Sequence, residues 1–336
     1  MSSAVVPVLR VIIRCLNILI IKLGALGDVV MATPLIAAIQ RAHPKHKVHL
    51  LTSKPYLSIF ANWPSLDVTV RPRQGILNFS RALEWVRHLQ CTRIYDLQGS
   101  HRSAFLCALS GSPMRIGNHT HFPYTHHPVS RWTGQCHIFE RMIEILDAAN
   151  VGGVDGLPHI PIVDVDRENV AAWSDAHDLH DRGYVVLHAN VSSARPEKRW
   201  PYFEALGKRI STHGLVPVWV GGPGDATENR RLCAIAGGLD ATAAFTLPAL
   251  VQFARHARFA VTNDSGPMHV LAAAKIPVFG LFGPSDWRRN HALGQRENVI
   301  ACVECVEEFR GQLIAECLDQ ISCDIVWTRL RASGVL

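Results

Sequence analysis

Short apolar runs alternate with stretches of helical periodicity along the chain, and the alternation starts afresh after a Gly-, Pro- and Asp-rich stretch at 151–166. In the first half the pattern predicts strands over 17–21, 48–52 and 93–97, and helices over 29–41, 79–89 and 137–149. In the second it predicts strands over 184–188, 216–220, 259–262 and 278–282, and helices over 202–213, 247–254 and 267–274. Strands that alternate with helices pair in parallel, with helices on both faces. Two such halves form two Rossmann-like α/β domains, with a cleft at the carboxyl ends of both sets of strands, where open parallel sheets bind ligands.

The 336 residues suit two domains of ordinary size, and 48% hydrophobic content fills two cores. The net charge of +6 fits an anionic ligand or membrane surface. The chain carries no recognition-helix, zinc-finger or aromatic RNA-binding signature, so nucleic acid is not an expected partner. Nine scattered cysteines read as reduced thiols in a cytosolic protein. Arg14 and Asn17 interrupt the apolar run at 11–21, which excludes a membrane span there and points to a short extension before the first strand.

Four polar segments sit at predicted strand ends. Lys22-Leu23-Gly24-Ala25-Leu26-Gly27-Asp28 follows the first strand. Its glycines let a ligand approach the backbone, but it matches neither the dinucleotide fingerprint nor a Walker loop. Asp28 reads as a helix cap or as a general base facing the cleft. A helix N-terminus favours the charged carboxylate, so such a base serves where proton removal comes late. Asn190 to Pro201 brings Ser192, Ser193, Lys198 and Arg199, whose cations can neutralise phosphate, with Trp200-Pro201 anchoring the loop.

Gly221-Gly222-Pro223-Gly224-Asp225, with Glu228 beyond, reads as a strand-to-helix turn or as a ribose site. Thr262-Asn263-Asp264-Ser265-Gly266-Pro267-Met268-His269 opens a helix that Asp264 or Ser265 can cap, with His269 one turn in. Backbone N–H groups at such a mouth favour an anion. Leu281-Phe282-Gly283-Pro284-Ser285-Asp286 closes the next strand as a turn at the cleft rim.

Other clusters read more plainly. Asp164-Val165-Asp166 precedes a helix and is expected to cap it. His119, His121, His126, His127 and His137 lack structural-zinc spacing, as does the irregular set Cys302, Cys305, Cys317 and Cys323. No metal centre is expected.

Taken together, the segments Ile20 to Val29, Lys198-Arg199-Trp200-Pro201, and Thr262 to His269 continuing through Leu281-Phe282-Gly283-Pro284 resemble the signatures of glycosyltransferase family 9, the lipopolysaccharide heptosyltransferases. The tail from Cys302 to Val326 is similar too, so the likeness spans about residues 17–328. The resemblance implies the GT-B architecture. An acceptor domain would span 1–160 and a nucleotide-sugar domain 161–312, with a last helix at 313–336 returning to the first. It implies inverting, metal-independent transfer from ADP-heptose, without a cofactor, to an anionic lipopolysaccharide precursor in a Gram-negative cytoplasm. Contact with the inner-membrane surface would be transient.

Carried over by position, Asp28 is the general base. Ser192, Ser193, Lys198, Asp264, Ser265, Gly266 and His269 hold the donor. Asp225 and Glu228 fall where a ribose acid is expected, and Phe245 where a ring packs on adenine. Gly27, Arg102, Arg115 and Arg131 are candidates for the acceptor. The N-terminal extension is longer than the family's pattern. Rival readings are a different nucleotide-sugar, an epimerase of similar shape, or a catalytically silent binding protein.

Overall fold

The structure is a computed structural model that describes residues 16–72, 74–134, 136–179, 183–302 and 317–336. Arg10, Arg14, Cys15 and Cys305 lie outside the described residues.

The first half runs β1 (Asn17–Ile21), α1 (Leu26–Met31), α2 (Thr33–Ala42), β2 (Lys47–Thr52), α3 (Leu57–Phe60), β3 (Leu66–Val70), α4 (Ile76–Leu89), β4 (Arg93–Asp96), α5 (His101–Leu109), β5 (Met114–Ile116) and α6 (Ile138–Asp147). Its strands form a parallel sheet of order β3-β2-β1-β4-β5. The second half runs α7 (Asp164–Ala176), β6 (Tyr184–His188), α8 (Phe203–Thr212), β7 (Val216–Gly221), α9 (Ala226–Ala236), β8 (Leu239–Thr242), α10 (Leu247–Ala254), β9 (Ala260–Asn263), α11 (Gly266–Ala272), β10 (Val278–Phe282), α12 (Trp287–Asn290), β11 (Val299–Ala301) and α13 (Cys323–Ala332). These strands give a second parallel sheet, β11-β10-β9-β6-β7-β8.

Both sheets are covered on both faces, so the two-residue period of a strand divides its side chains between cores. Ile18 and Ile20 of β1 enter one apolar cluster, while Leu19 and Ile21 enter another. Val186 of β6 belongs to the same cluster as Ile18, whereas Val185 and Leu187 face the outer layer. One continuous core therefore runs from sheet to sheet through α1, α2, α10 and α11.

The single helix expected over 29–41 is two helices that break at Ala32. Pro34 explains the break, since it lacks an N–H and its ring clashes with the carbonyl four residues back. Asp166 caps α7 as expected, its Oδ2 accepting from the Val163 N–H at 3.1 Å.

The last helix, α13, packs on α8, with Val326, Trp327 and Leu330 in the cluster of Phe203, Leu206 and Ile210. Arg209 pairs with Asp324 at 2.5 Å and lies 4.7 Å over the Trp327 ring, which satisfies the outer edge of that contact. One expectation is corrected: the cysteines are not all thiols, since Cys317 is disulfide-bonded. Among the described residues, no helix is long and apolar enough to cross a membrane.

Candidate active site

The loop after β1 is held from several sides. Lys22 is buried and its Nζ donates to the Leu97 carbonyl at 2.8 Å. Gln98 Oε1 accepts from the Leu23 N–H at 2.7 Å, and Ser53 Oγ donates to the Leu23 carbonyl. Gly24 has φ +139°, which only glycine adopts without strain. Asp28 is the third residue of α1. Its Oδ2 accepts from the Ala25 N–H at 3.3 Å, while Oδ1 carries no hydrogen bond among the described residues. Asp28 is thus a cap, with one oxygen not engaged by that role.

The opposite wall is built by β9 and α11. Asn263 staples neighbouring strand ends, accepting from the Trp200 N–H and donating to the Ala189 carbonyl. Neither Asp264 nor Ser265 caps α11 through its side chain. Asp264 instead accepts from Lys198 Nζ and Ser285 Oγ, both at 2.5 Å, in a nearly buried cluster. Trp200 anchors the Lys198 loop as expected: it is buried and its Nε1 donates to the Ile321 carbonyl. Ser265 Oγ lies 3.3 Å from Nδ1 of buried His188, whose Nε2 is 4.0 Å from Asp225 Oδ2. Burial lowers the His188 pKa to about 4 against the pull of Asp225.

The other donor candidates divide. Asp225 accepts from the Gly222 N–H at 2.8 Å and is a cap beside His188. Glu228 is held by Arg231 through two contacts, at 3.0 and 2.9 Å, and that pairing lowers its pKa. Ser192 and Ser193 sit on an exposed loop, where Ser192 Oγ accepts from the Ala194 N–H. Phe245 is half-buried and stacks on Phe253 with ring centroids 4.7 Å apart.

The two walls meet where α1 packs on α11. A Cβ placed on Gly27 would fall 2.5 Å from His269 Cδ2, and one on Gly266 would fall 2.8 Å from Leu26 Cβ. Each helix thus offers a glycine to a side chain of the other. His269 is 5% exposed, and its Nδ1 has no partner among the described residues. Burial lowers its pKa to about 4, opposed by Asp264 and Asp28 and reinforced by His137 and His291. A neutral imidazole therefore lies within electrostatic reach of both Asp28 and Asp264. His137 Nε2 bonds the His291 carbonyl at 2.9 Å, a second tie across the seam.

The three candidate acceptor arginines also part company. Arg102 donates to the Gly75 carbonyl and lines a cavity of about 410 Å³ with Leu23, Gln74, Gln98 and Ser100, next to the β1 loop. Arg131 lines a separate cavity of about 620 Å³ with His119, Phe122 and Trp132. Arg115 helps to hold its own loop, donating to the Pro123 and Ser112 carbonyls at 2.6 and 2.5 Å. His188 and Gln98 also border the site and belong to none of the four polar segments, whereas Lys22 opens the first of them. Only the position of His188 and Gln98 at or just past a strand end could have flagged them. Among the described residues, no group of three His, Cys, Asp or Glu side chains is arranged to hold a metal ion.

Residues 79–318 match the family model described as glycosyltransferase family 9 (heptosyltransferase). Lipopolysaccharide heptosyltransferase 1 of Pseudomonas aeruginosa is 27% identical over 327 residues, covering 87% of each chain. Lipopolysaccharide heptosyltransferase 2 of Escherichia coli is 23% identical, covering 94% of this chain and 96% of its own. Among solved structures, the glycosyl transferase family 9 protein of Veillonella parvula superposes with a TM-score of 0.80 at 23% identity, covering 94% of this chain and 96% of its own. The ADP-heptose lipopolysaccharide heptosyltransferase II of Escherichia coli gives 0.75 at 20% identity, covering 94% and 98%. Two facing parallel-sheet domains, a carboxylate on each wall of one seam and this family match together place the chain in glycosyltransferase family 9, as a glycosyltransferase with the GT-B fold.

Proposed function

We propose that the chain transfers heptose from ADP-heptose to an anionic lipopolysaccharide precursor, with inversion at the anomeric carbon and without a metal ion or cofactor. The observation that carries this reading is the packing of α1, which bears Asp28, against α11, whose buried and neutral His269 lies within electrostatic reach of both Asp28 and Asp264. The acceptor hydroxyl approaches from the first half, where Asp28 Oδ1 takes its proton as the new C–O bond forms. The bond from the anomeric carbon to the diphosphate breaks, and ADP leaves with the electron pair. Lys198, now 2.5 Å from Asp264, supplies the positive charge that the departing diphosphate needs. Asp264 keeps that ammonium in place before the donor arrives and faces the sugar, while the backbone from Ser265 onward borders the phosphates. Asp225 suits the ribose better than Glu228, which Arg231 already holds. A lipid-borne acceptor sets the reaction at the cytoplasmic face of the inner membrane, with the protein peripheral to it.

The test is ADP release from purified protein given ADP-heptose, with and without lipid acceptor. Release that requires acceptor supports transfer, whereas release or sugar interconversion without acceptor favours the epimerase reading. Thermal shifts with UDP- or GDP-sugars exceeding that with ADP-heptose would refute the assigned donor. Lys198→Ala is expected to weaken ADP-heptose binding about 10- to 100-fold, the worth of a charge-assisted hydrogen bond. Isothermal titration checks this, and an unchanged Kd removes Lys198 from the donor site.

A further inference from the structure

The whole chain carries a net charge of +6, and residues 71–135 alone account for it: they hold eight arginines, no lysine, and only Glu84 and Asp96 as acids. Asp96 is fully buried and accepts from the Tyr124 hydroxyl at 2.6 Å, so Glu84 is the acid left to the surface. The same stretch supplies half of the large apolar side chains exposed among the described residues: Ile76, Leu77, Phe105, Leu109, Phe122 and Val129. Phe105 and Phe122 are 63% and 73% exposed and line the same cavity. Arg102 ties the start of α5 to Gly75, next to Ile76 and Leu77, and Arg87 ties the end of α4 to the Leu109 carbonyl. These bonds hold α4 and α5 side by side and bring most of the apolar tips to one region of the first half.

We propose that this region, carried by α4, α5 and the 119–132 loop, is the surface that seats the protein on an anionic phospholipid bilayer. Exposed apolar tips among arginines fit the boundary between headgroups and acyl chains, where the tips leave water and the guanidinium groups meet phosphate. A second copy of the chain fits poorly, because a two-fold contact would set arginines against arginines. A nucleic acid would use the arginines but leave the apolar tips in water. The proposal rests on the peripheral placement in the reading above and assigns the surface that achieves it, while its test does not require that the donor be ADP-heptose.

Co-sedimentation of the full chain with vesicles that contain no acceptor decides it. Binding is expected to phosphatidylcholine vesicles carrying phosphatidylglycerol and not to phosphatidylcholine alone, with weakening as salt rises. The double variant Ile76→Ser/Phe105→Ser is expected to lower the partition coefficient about tenfold or more, the effect of losing one or two buried apolar side chains. Arg81→Glu, at an exposed position of α4, is expected to lower it and to flatten its salt dependence. Both variants should melt like the parent and release ADP normally with an acceptor stripped of its acyl chains. The proposal is overturned if the parent ignores anionic vesicles, if it binds neutral ones equally, or if the double variant changes only the oligomeric state. Failure of ADP release would count against the transfer reading alone, since the vesicle measurements stand without it.

Discussion

Asp28→Ala is expected to lower acceptor-dependent ADP release by about 10²- to 10⁴-fold, the usual contribution of a positioned general base. The Kd for ADP-heptose should change little, since Asp28 lies on the wall opposite Lys198 and Asp264. Asp28 also caps α1 through Oδ2, so the alanine variant should lose about 1 kcal/mol of stability as well. Asp28→Asn separates the two roles: its amide oxygen can still accept from the Ala25 N–H, but the side chain cannot take up a proton. The asparagine variant should therefore melt close to the parent and be as inactive as the alanine variant. Parallel rate and titration measurements read this out. Recovery of most activity in Asp28→Asn, or an equal loss of donor affinity, would make Asp28 a purely structural cap.

Acid is expected to destabilise the protein well before its carboxylates titrate. His188 and His269 each fall from an ordinary 6.5 to about 4, chiefly through burial. The unfolded chain thus takes up protons at a pH where the folded chain does not. Stability from these two groups is complete above about pH 6.5 and declines as pH falls towards 4. Each pH unit in that window costs about 1.4 kcal/mol per histidine, so at pH 5 the pair removes on the order of 4 kcal/mol. Urea midpoints between pH 7.5 and 4.5 check the slope; buried His43, also lowered to about 4, adds an equal share, so His269→Gln should remove at most about a third of it. A flat midpoint across that range would show that neither imidazole is held neutral by burial.

The sequence spoke most clearly for the inner strands. β1, β6 and β10 are short, continuous apolar runs bounded by polar segments, and their limits are as the pattern predicts. The strands that escaped detection are β3, β5, β8 and β11, and these are the four sheet edges. An edge strand buries less, so Leu66-Asp67-Val68-Thr69-Val70 and Leu239-Asp240-Ala241-Thr242 mix polar residues into runs too short for a clear period. Helices α5 and α9 were hidden for a related reason, being broken by Ser103 and Cys107 or crowded with Arg230 and Arg231.

At the site, motif spacing placed Asp28, Lys198 and Asp264 around one seam. Nothing local indicated that Arg115 would turn to the carbonyls of its own loop, or that Glu228 would be held by Arg231 one turn on. His188 looked like the last residue of a strand. Its role depends on Asp225 and Ser265, which are 37 and 77 residues away and reach it only after the sheet assembles.

The crossing of α1 and α11 reaches beyond this one chain. Each lobe contributes a hollow and a filler: Gly27 receives His269, and Gly266 receives Leu26. Enlarging either hollow residue is tolerable only if the filler opposite shrinks with it. Lobe exchange between related chains is therefore governed by two residue pairs, and a chimaera that mismatches them would misalign its catalytic walls even with every motif intact.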